Sequence, residues 1–297
     1  MSMALVFLLC IPALATGAAL GWTRRRVIVI DPQARTVLVR LRRRSGIAVL
    51  LGLVLGGVAA AAMLAVQNGD LGRLASMAPA AAGTVAVLVV GIAELTTPHL
   101  EGGVRTASLH SRRRLDAVDV PTARLALVTF AALVLALGVG WVMGSADDMG
   151  RPGRDISTVC GTTSSGRGPW PGSFYGGLML FAAAEVALAT FAAVVAVAER
   201  PRVGATSLET DTRLRRASSG QILLVSAAAA ACTLAPVAGL MASGLLGLMC
   251  RPWWYVPLGI FWVIVMLVAA GVAASCLGTA VWGPRMVDKA DEPVAAR

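Results

Sequence analysis

Residues 123 to 144 read ARLALVTFAALVLALGVGWVMG, an apolar run in which Arg124 is the one charged residue. Its length matches the ~20 residues that a helix needs to cross the hydrocarbon core of a bilayer. We predict six further membrane-spanning helices, at residues 3 to 22, 46 to 66, 78 to 95, 174 to 197, 221 to 247 and 256 to 282. The sequence therefore predicts an all-α protein, a polytopic bundle of about seven transmembrane helices that forms one domain over residues 1 to 297.

The composition favours a membrane protein over a soluble one. Hydrophobic residues make up 57% of the 297 residues, whereas soluble domains carry about 45–50%. The first apolar run lacks the basic segment that begins a signal peptide, and its cationic cluster, residues 24 to 26, follows the run. We therefore expect the first run to be a retained helix.

Lys and Arg fall mainly into every second gap between the apolar runs. Of 26 such residues, 21 lie in residues 23 to 45, 96 to 124, 198 to 217 and the tail after residue 282. Short loops rich in Lys and Arg stay in the cytoplasm, so we expect the amino terminus outside and the carboxyl terminus inside. The expected location is the plasma membrane.

The predicted cytoplasmic segments, residues 23 to 45, 96 to 122 and 198 to 220, are basic. Their clustered arginines are Arg24, Arg25, Arg26, Arg42, Arg43, Arg44, Arg112, Arg113, Arg114, Arg213, Arg215 and Arg216. We expect these side chains to fix the orientation and to contact the lipid bilayer, with a protein partner as the alternative. The net charge of +10 needs no nucleic acid partner on this interpretation.

Cys160 and Cys250 are the two cysteines outside the predicted membrane core, and both fall on the expected outer face. Disulfides form in oxidising compartments, so we predict a bond between them, with two free thiols as the alternative. The bond would join the external loop 145 to 173 to the start of the last helix.

Five aromatic residues also gather near the expected outer face; they are Trp170, Tyr175, Trp253, Trp254 and Tyr255. Such residues are enriched at membrane interfaces, and the favoured interpretation is an interfacial aromatic belt. The alternative is that loop 145 to 173 and the Trp pair form a lid or a ligand-binding cap.

Glu185 lies near the middle of the predicted fifth helix, where a charged group costs at least ~2.5 kcal/mol on insertion scales. We expect it to face the bundle interior beside Thr129, Ser226, Cys232 or a carbonyl freed by Pro236. It is either a proton-coupling or cation-binding residue, or a neutral carboxyl that holds helices together.

Three local patterns suggest further structure. Beta-branched residues around Asp31-Pro32 predict a short hairpin from residues 27 to 41, with an interfacial helix as the alternative. Ala93-Glu94-Leu95 and Ala198-Glu199-Arg200 each precede a basic loop, which suggests two copies of a helical hairpin or a chance likeness. The pairs Gly17 with Gly21 and Gly52 with Gly56 have the spacing that lets two helices approach closely.

The segment from Gly168 to Gly176, with Cys160 before it and the segment from Cys250 to Trp254 after it, resembles an uncharacterised family of multi-pass membrane proteins from high-GC Gram-positive bacteria. Residues 93 to 96 and 214 to 218 are similar to inner-loop features of that family. The resemblance covers the third to the seventh predicted helix, and it implies location and general architecture only.

No motif for an enzyme, a cofactor or a metal site is present; His99 and His110 are interpreted as solvated side chains. The alternative is a membrane-embedded transferase, with Asp147, Asp148, Asp155 and Glu185 as the acidic candidates. We therefore interpret the chain as a transporter-like or permease-like component. The alternative is a non-transporting membrane sensor, scaffold or cell-envelope factor.

Overall fold

A computed structural model of the protein describes residues 15–19, 27–30, 35–66, 71–96, 114–200, 208–282 and 285–288. Its long helices are α1 (Arg35–Ala65), α2 (Arg73–Leu95), α3 (Val120–Met143), α4 (Ser173–Glu199), α5 (Leu208–Gly247) and α6 (Tyr255–Trp282). Within these described ranges, all six are long and apolar enough to cross a membrane. The prediction of an all-α membrane bundle is confirmed, with six candidate membrane-spanning helices in the described residues.

The predicted first helix, residues 3 to 22, lies mostly outside the described residues. Its described part, residues 15–19, is helical, and Gly17 lies against the backbone of Gly271 in α6. A Cβ at Gly17 would collide with the Gly271 carbonyl. The close approach expected of Gly17 is therefore present, whereas Gly21 is outside the described residues.

Helix α5 is the centre of the bundle, because it is buried along most of its length and packs against α2, α3, α4 and α6. Helix α1 is peripheral and packs mainly against α2. Gly52 and Gly56 make that contact close: a Cβ at Gly52 would lie 3.0 Å from the Ala86 Cα, and one at Gly56 would collide with the Ala82 carbonyl. The sequence prediction for this glycine pair is confirmed.

The predicted hairpin near the amino terminus is wrong. Strand β1 (Val27–Ile30) pairs in parallel with β4 (Arg285–Asp288), with Val27 opposite Arg285. The expected second strand forms the first turns of α1. A helix satisfies its backbone groups within its own segment, and here this outweighs the β propensity of the residues.

The predicted pair of equivalent helical hairpins is also contradicted. Helices α4 and α5 pack together, whereas α2 and α3 have little contact. The two matched acidic residues differ as well, since Glu94 is half-buried and Glu199 is exposed. The basic loops that would complete the comparison lie largely outside the described residues.

The bundle has two ends, which differ in the segments they carry. The cap end carries residues 144–173 and 248–254, including an antiparallel hairpin of β2 (Ile156–Cys160) and β3 (Thr163–Arg167). The arginine end, opposite to it, carries the ends of α1, α2, α4 and α6 with residues 114–119 and 208–221.

Candidate functional site

The cap is an ordered structure built on two close backbone approaches. Ser145 and Asp155 exchange backbone hydrogen bonds at 2.7 and 3.2 Å. These bonds close residues 145–155 into a loop, which is called the strap. Gly153 has a φ of 71°, a conformation that favours glycine. A Cβ on Gly172 would collide with the Gly153 carbonyl. The two glycines therefore let the strap cross the start of α4.

Asp147 holds the strap from inside, where 1% of its side chain is exposed. Its carboxylate accepts hydrogen bonds from Arg151 Nε at 2.7 Å and from an Arg154 terminal nitrogen at 2.6 Å. The backbone N–H groups of Met149 and Arg151 donate to its other oxygen at 3.0 and 2.8 Å. One buried carboxylate thus accepts four hydrogen bonds and fixes the turn around it.

The pKa values of two cap carboxyls, Asp147 and Asp155, are shifted in opposite directions. Burial raises the pKa of Asp147, but hydrogen bonds from Arg154 and Arg151 outweigh it and hold that pKa well below its usual range. Burial raises the pKa of Asp155, although the charge of Arg154 opposes the rise. Asp147 is therefore a permanent anion at neutral pH, and its role is structural.

Trp170 attaches the cap to the membrane-spanning helices. Its side chain is fully buried, and the indole N–H donates to the Gly140 carbonyl of α3 at 2.7 Å. It packs with Ile156 of the hairpin and Leu245 of α5 in one apolar cluster. Gly244 gives it room, since a Cβ there would lie 2.8 Å from the ring.

The aromatic residues therefore do not form the predicted belt. Trp170, Tyr175 and Tyr255 are buried, and the Tyr175 hydroxyl donates to the Leu71 carbonyl at 3.0 Å. Trp253 and Trp254 are exposed, as interfacial residues would be. The belt prediction is wrong for the three buried residues because their rings pack between elements of the cap and the helices.

Cys160 and Cys250 lie at disulfide-bonding distance, with their Cα atoms 5.7 Å apart. The same contact is supported by the Thr158 hydroxyl, which donates to the Cys250 carbonyl at 2.6 Å, and by the Met249 N–H, which donates to the Ser165 hydroxyl at 3.3 Å. The predicted pairing is confirmed. It attaches the hairpin to the segment between α5 and α6.

A second polar cluster, not predicted from the sequence, lies at the arginine end. The Glu94 carboxylate pairs with Arg200 at 2.8 Å and accepts hydrogen bonds from Ser218 at 2.7 Å and Ser45 at 3.0 Å. Ser45 also contacts Gln221, whose side-chain amide donates to a carbonyl of α6 at 2.8 Å. These five residues, the Glu94 cluster, connect α1, α2, α5 and α6 to the end of α4.

Arg215 fixes the end of α4 in a second way. Its guanidinium pairs with Asp211 at 2.8 Å and donates to the carbonyls of Val197, Ala198 and Arg200 at 3.2, 2.6 and 2.6 Å. A helix leaves its last carbonyls without partners inside the helix, and Arg215 supplies the donors. A buried cation on α5 therefore holds the end of α4.

The predicted role of the basic segments is wrong for Arg215, which is buried in the protein instead of facing lipid headgroups. Arg216 is exposed and donates to the Asp116 carbonyl at 2.7 Å, and Arg44 donates to Thr96 at 2.7 Å. Arg43 and Arg213 are exposed. The side chains of Arg24, Arg25, Arg26, Arg42, Arg112, Arg113 and Arg114 lie outside the described part of the chain, as do His99 and His110.

Glu185 is half-buried near the middle of α4. Two partners expected for it are engaged elsewhere: Thr129 bonds to carbonyls of its own helix, and Ser226 pairs with Thr190 at 2.8 Å. Within the described ranges, no hydrogen bond or ion pair holds Glu185. The structure therefore does not provide the polar interior partner that was expected, and the proton role stays a prediction.

The bundle interior at this depth is filled by apolar side chains. Its buried hydroxyls bond mainly to their own helices; Thr190 donates to the Val186 carbonyl at 2.7 Å, and Thr233 to that of Ala229 at 2.9 Å. Among the described residues, no group of three His, Cys, Asp or Glu side chains can hold a metal. The polar chemistry of the described chain is thus concentrated at the two ends.

Part of this arrangement had a signal in the sequence. Asp147 with Arg151 and Asp211 with Arg215 have the i, i+4 spacing of helical ion pairs. The Glu94 cluster had no such signal, because its members are far apart in the chain.

Comparisons of this chain with protein families, curated proteins and solved structures find no match.

Proposed function

We propose that this protein is a non-transporting scaffold or cell-envelope factor of the plasma membrane, without enzymatic activity, which holds its cap as a rigid platform on the outer surface. The proposal rests mainly on one observation. Polar contacts of the described chain close both ends of the bundle, and the helices between them pack through apolar residues.

Attachments between elements at both ends of the bundle also favour a scaffold over a transporter. Alternating access requires one part of a bundle to move against another around a central site. Here the disulfide and Trp170 attach the cap at one end. The Glu94 cluster joins five helices at the other. Each attachment opposes such movement.

The orientation belongs to the same proposal. Because the basic segments follow the positive-inside pattern, the cap lies outside and the carboxyl terminus inside. A disulfide on the cap agrees with this, since disulfides persist in oxidising compartments. Membership of the resembled family of high-GC Gram-positive membrane proteins is likewise a proposal.

Complementation by a locked protein tests the scaffold function. The variant Arg44→Cys with Thr96→Cys replaces two side chains that contact across α1 and α2 at the arginine end. A pulse of a membrane-permeant reagent that joins two thiols then links the helices in a form that the reducing cytoplasm does not break, and the gene-deletion strain is assayed for any growth or envelope defect. The cross-linked protein should restore growth as well as the wild type treated in the same way. Loss of rescue on cross-linking, with rescue by the untreated double variant, would show that the two helices must separate, which a scaffold does not require.

A transport component is the second candidate, favoured by Glu185 alone. A half-buried carboxyl at mid-membrane depth can exchange a proton or bind a cation. Proteoliposomes on a solid-supported membrane should then give currents after a pH jump, and Glu185→Gln should abolish them. The scaffold proposal predicts no current from either protein.

A further inference from the structure

Two arginines of the cap end converge on one aromatic ring. The Cζ atom of Arg73 lies 5.0 Å from the centroid of the Phe174 ring, and that of Arg154 lies 6.0 Å from it. A cation over a ring uses the face of the guanidinium and leaves N–H donors on its edge free. We name this group, Arg73, Arg154 and Phe174, the arginine pair site.

The guanidinium groups of Arg154 and Arg73 differ in their hydrogen-bond partners. Arg154 is anchored to Asp147 at 2.6 Å, but its buried Nε has no hydrogen-bond partner. Arg73 is exposed and has no carboxylate or carbonyl partner among the described residues. The site therefore offers the free donors of Arg73, beside the positive charge of Arg154.

The other carboxylates of the cap do not contact Arg73. Asp147 takes Arg151 as well as Arg154. The Asp155 carboxylate lies against Gly168, and within the described ranges no hydrogen bond joins it to Arg73. Asp148 is exposed on the strap. No anion of the described chain thus covers the edge of Arg73.

The depth of the site identifies its ligand chemistry. Arg73 is the first residue of α2, and Phe174 is the second residue of α4, and both helices are candidate membrane spans. Their guanidinium and ring thus lie where the spans leave the hydrocarbon core. The anion present at that depth in either leaflet is the phosphate of a phospholipid, and arginine binds phosphate through paired N–H donors.

We propose that the arginine pair site binds a phosphate group, supplied by a phospholipid headgroup at the cap end. Arg73 makes the direct contacts, Arg154 adds its charge, and Phe174 holds both guanidiniums in place. The site does not depend on the scaffold function or on the orientation, because both leaflets present phosphate.

Native mass spectrometry of the full-length protein tests the site, with phosphatidylglycerol titrated into the detergent solution. Arg73→Gln should weaken the tightest binding by about tenfold, the loss expected for one charge-assisted hydrogen bond. Arg73→Lys should recover part of it. Arg167→Gln is the matched control, since Arg167 is exposed at the cap end and should leave binding unchanged.

Two further ligands separate the sources of phosphate. Diacylglycerol with the same acyl chains should not bind at the site. Competition by glycerol phosphate would show that the site takes free phosphate too, and its failure would confine the ligand to lipid; both results support phosphate binding. Equal affinity of the wild type and of Arg73→Gln, with unchanged thermal unfolding of both, would overturn the proposal.

Discussion

Replacing Glu94 with Gln removes the anion at the centre of the Glu94 cluster and leaves its shape intact. Only 11% of the Glu94 side chain and 7% of the Arg200 side chain are exposed, so the arginine would stay buried without a counter-charge. Removal of one partner of a buried pair costs about 3–5 kcal/mol. Because the Gln amide oxygen can still accept from Ser218 and its NH2 group can donate to the Ser45 hydroxyl, we expect a loss of about 3 kcal/mol in the free energy of unfolding.

The assay is reversible unfolding in mixed micelles, followed by steric trapping. Asp116→Asn is the matched control, because Asp116 is exposed at the arginine end and its backbone carbonyl accepts from Arg216; its change should stay within about 0.5 kcal/mol. The double variant Glu94→Gln with Arg200→Gln should be less destabilised than the two single changes added together. A loss for Glu94→Gln no larger than the control, or strict additivity, would refute the buried pair.

Three other changes test the packing and the cap. Gly56→Ala should weaken the α1–α2 contact, whereas Gly57→Ala, which meets no atom within 4 Å, should not; cross-linking of α1 to α2 measures both. Trp170→Ala should cost about 3–5 kcal/mol of stability and Trp253→Ala under 1, by the same unfolding assay. Asp147 has a pKa held below the unfolded value of about 3.9, so its stabilisation is present above pH 4 and lost as pH falls further; hydrogen exchange in the cap should show this acid loss, and Asp147→Asn should abolish it.

The sequence predicts the membrane-spanning helices well, because hydropathy measures the transfer of side chains from water to hydrocarbon. Hydropathy does not locate the polar ends of these helices. Helix α1 begins at Arg35 and α5 at Leu208, each more than ten residues before the predicted apolar run. A helix can continue beyond the membrane wherever its polar residues find partners, as Arg215 does, and hydropathy contains no signal for that.

Contacts between distant segments explain the remaining differences. The pairing of β1 with β4 joins residues 27–30 to residues 285–288, and Glu94 meets Arg200 and Ser218 only after the helices pack. Trp170 was placed at the correct end of the bundle, but its burial depends on space left by Gly244. The disulfide is predictable from the sequence, because Cys160 and Cys250 are the two cysteines outside the predicted membrane core and both fall on the expected outer face.

Labelling of single cysteines in living cells tests the placement of the cap most directly. Ser164 on the hairpin and Arg213 on α5 are both exposed. Of the free thiols in the described chain, Cys232 is half-buried and Cys276 is buried, and Cys10, which lies outside the described residues, is replaced by Ser in every variant. A membrane-impermeant maleimide should label Ser164→Cys in intact cells and Arg213→Cys only after lysis. Labelling of Arg213→Cys in intact cells, with Ser164→Cys protected, would place the cap in the cytoplasm and contradict an outer-surface platform.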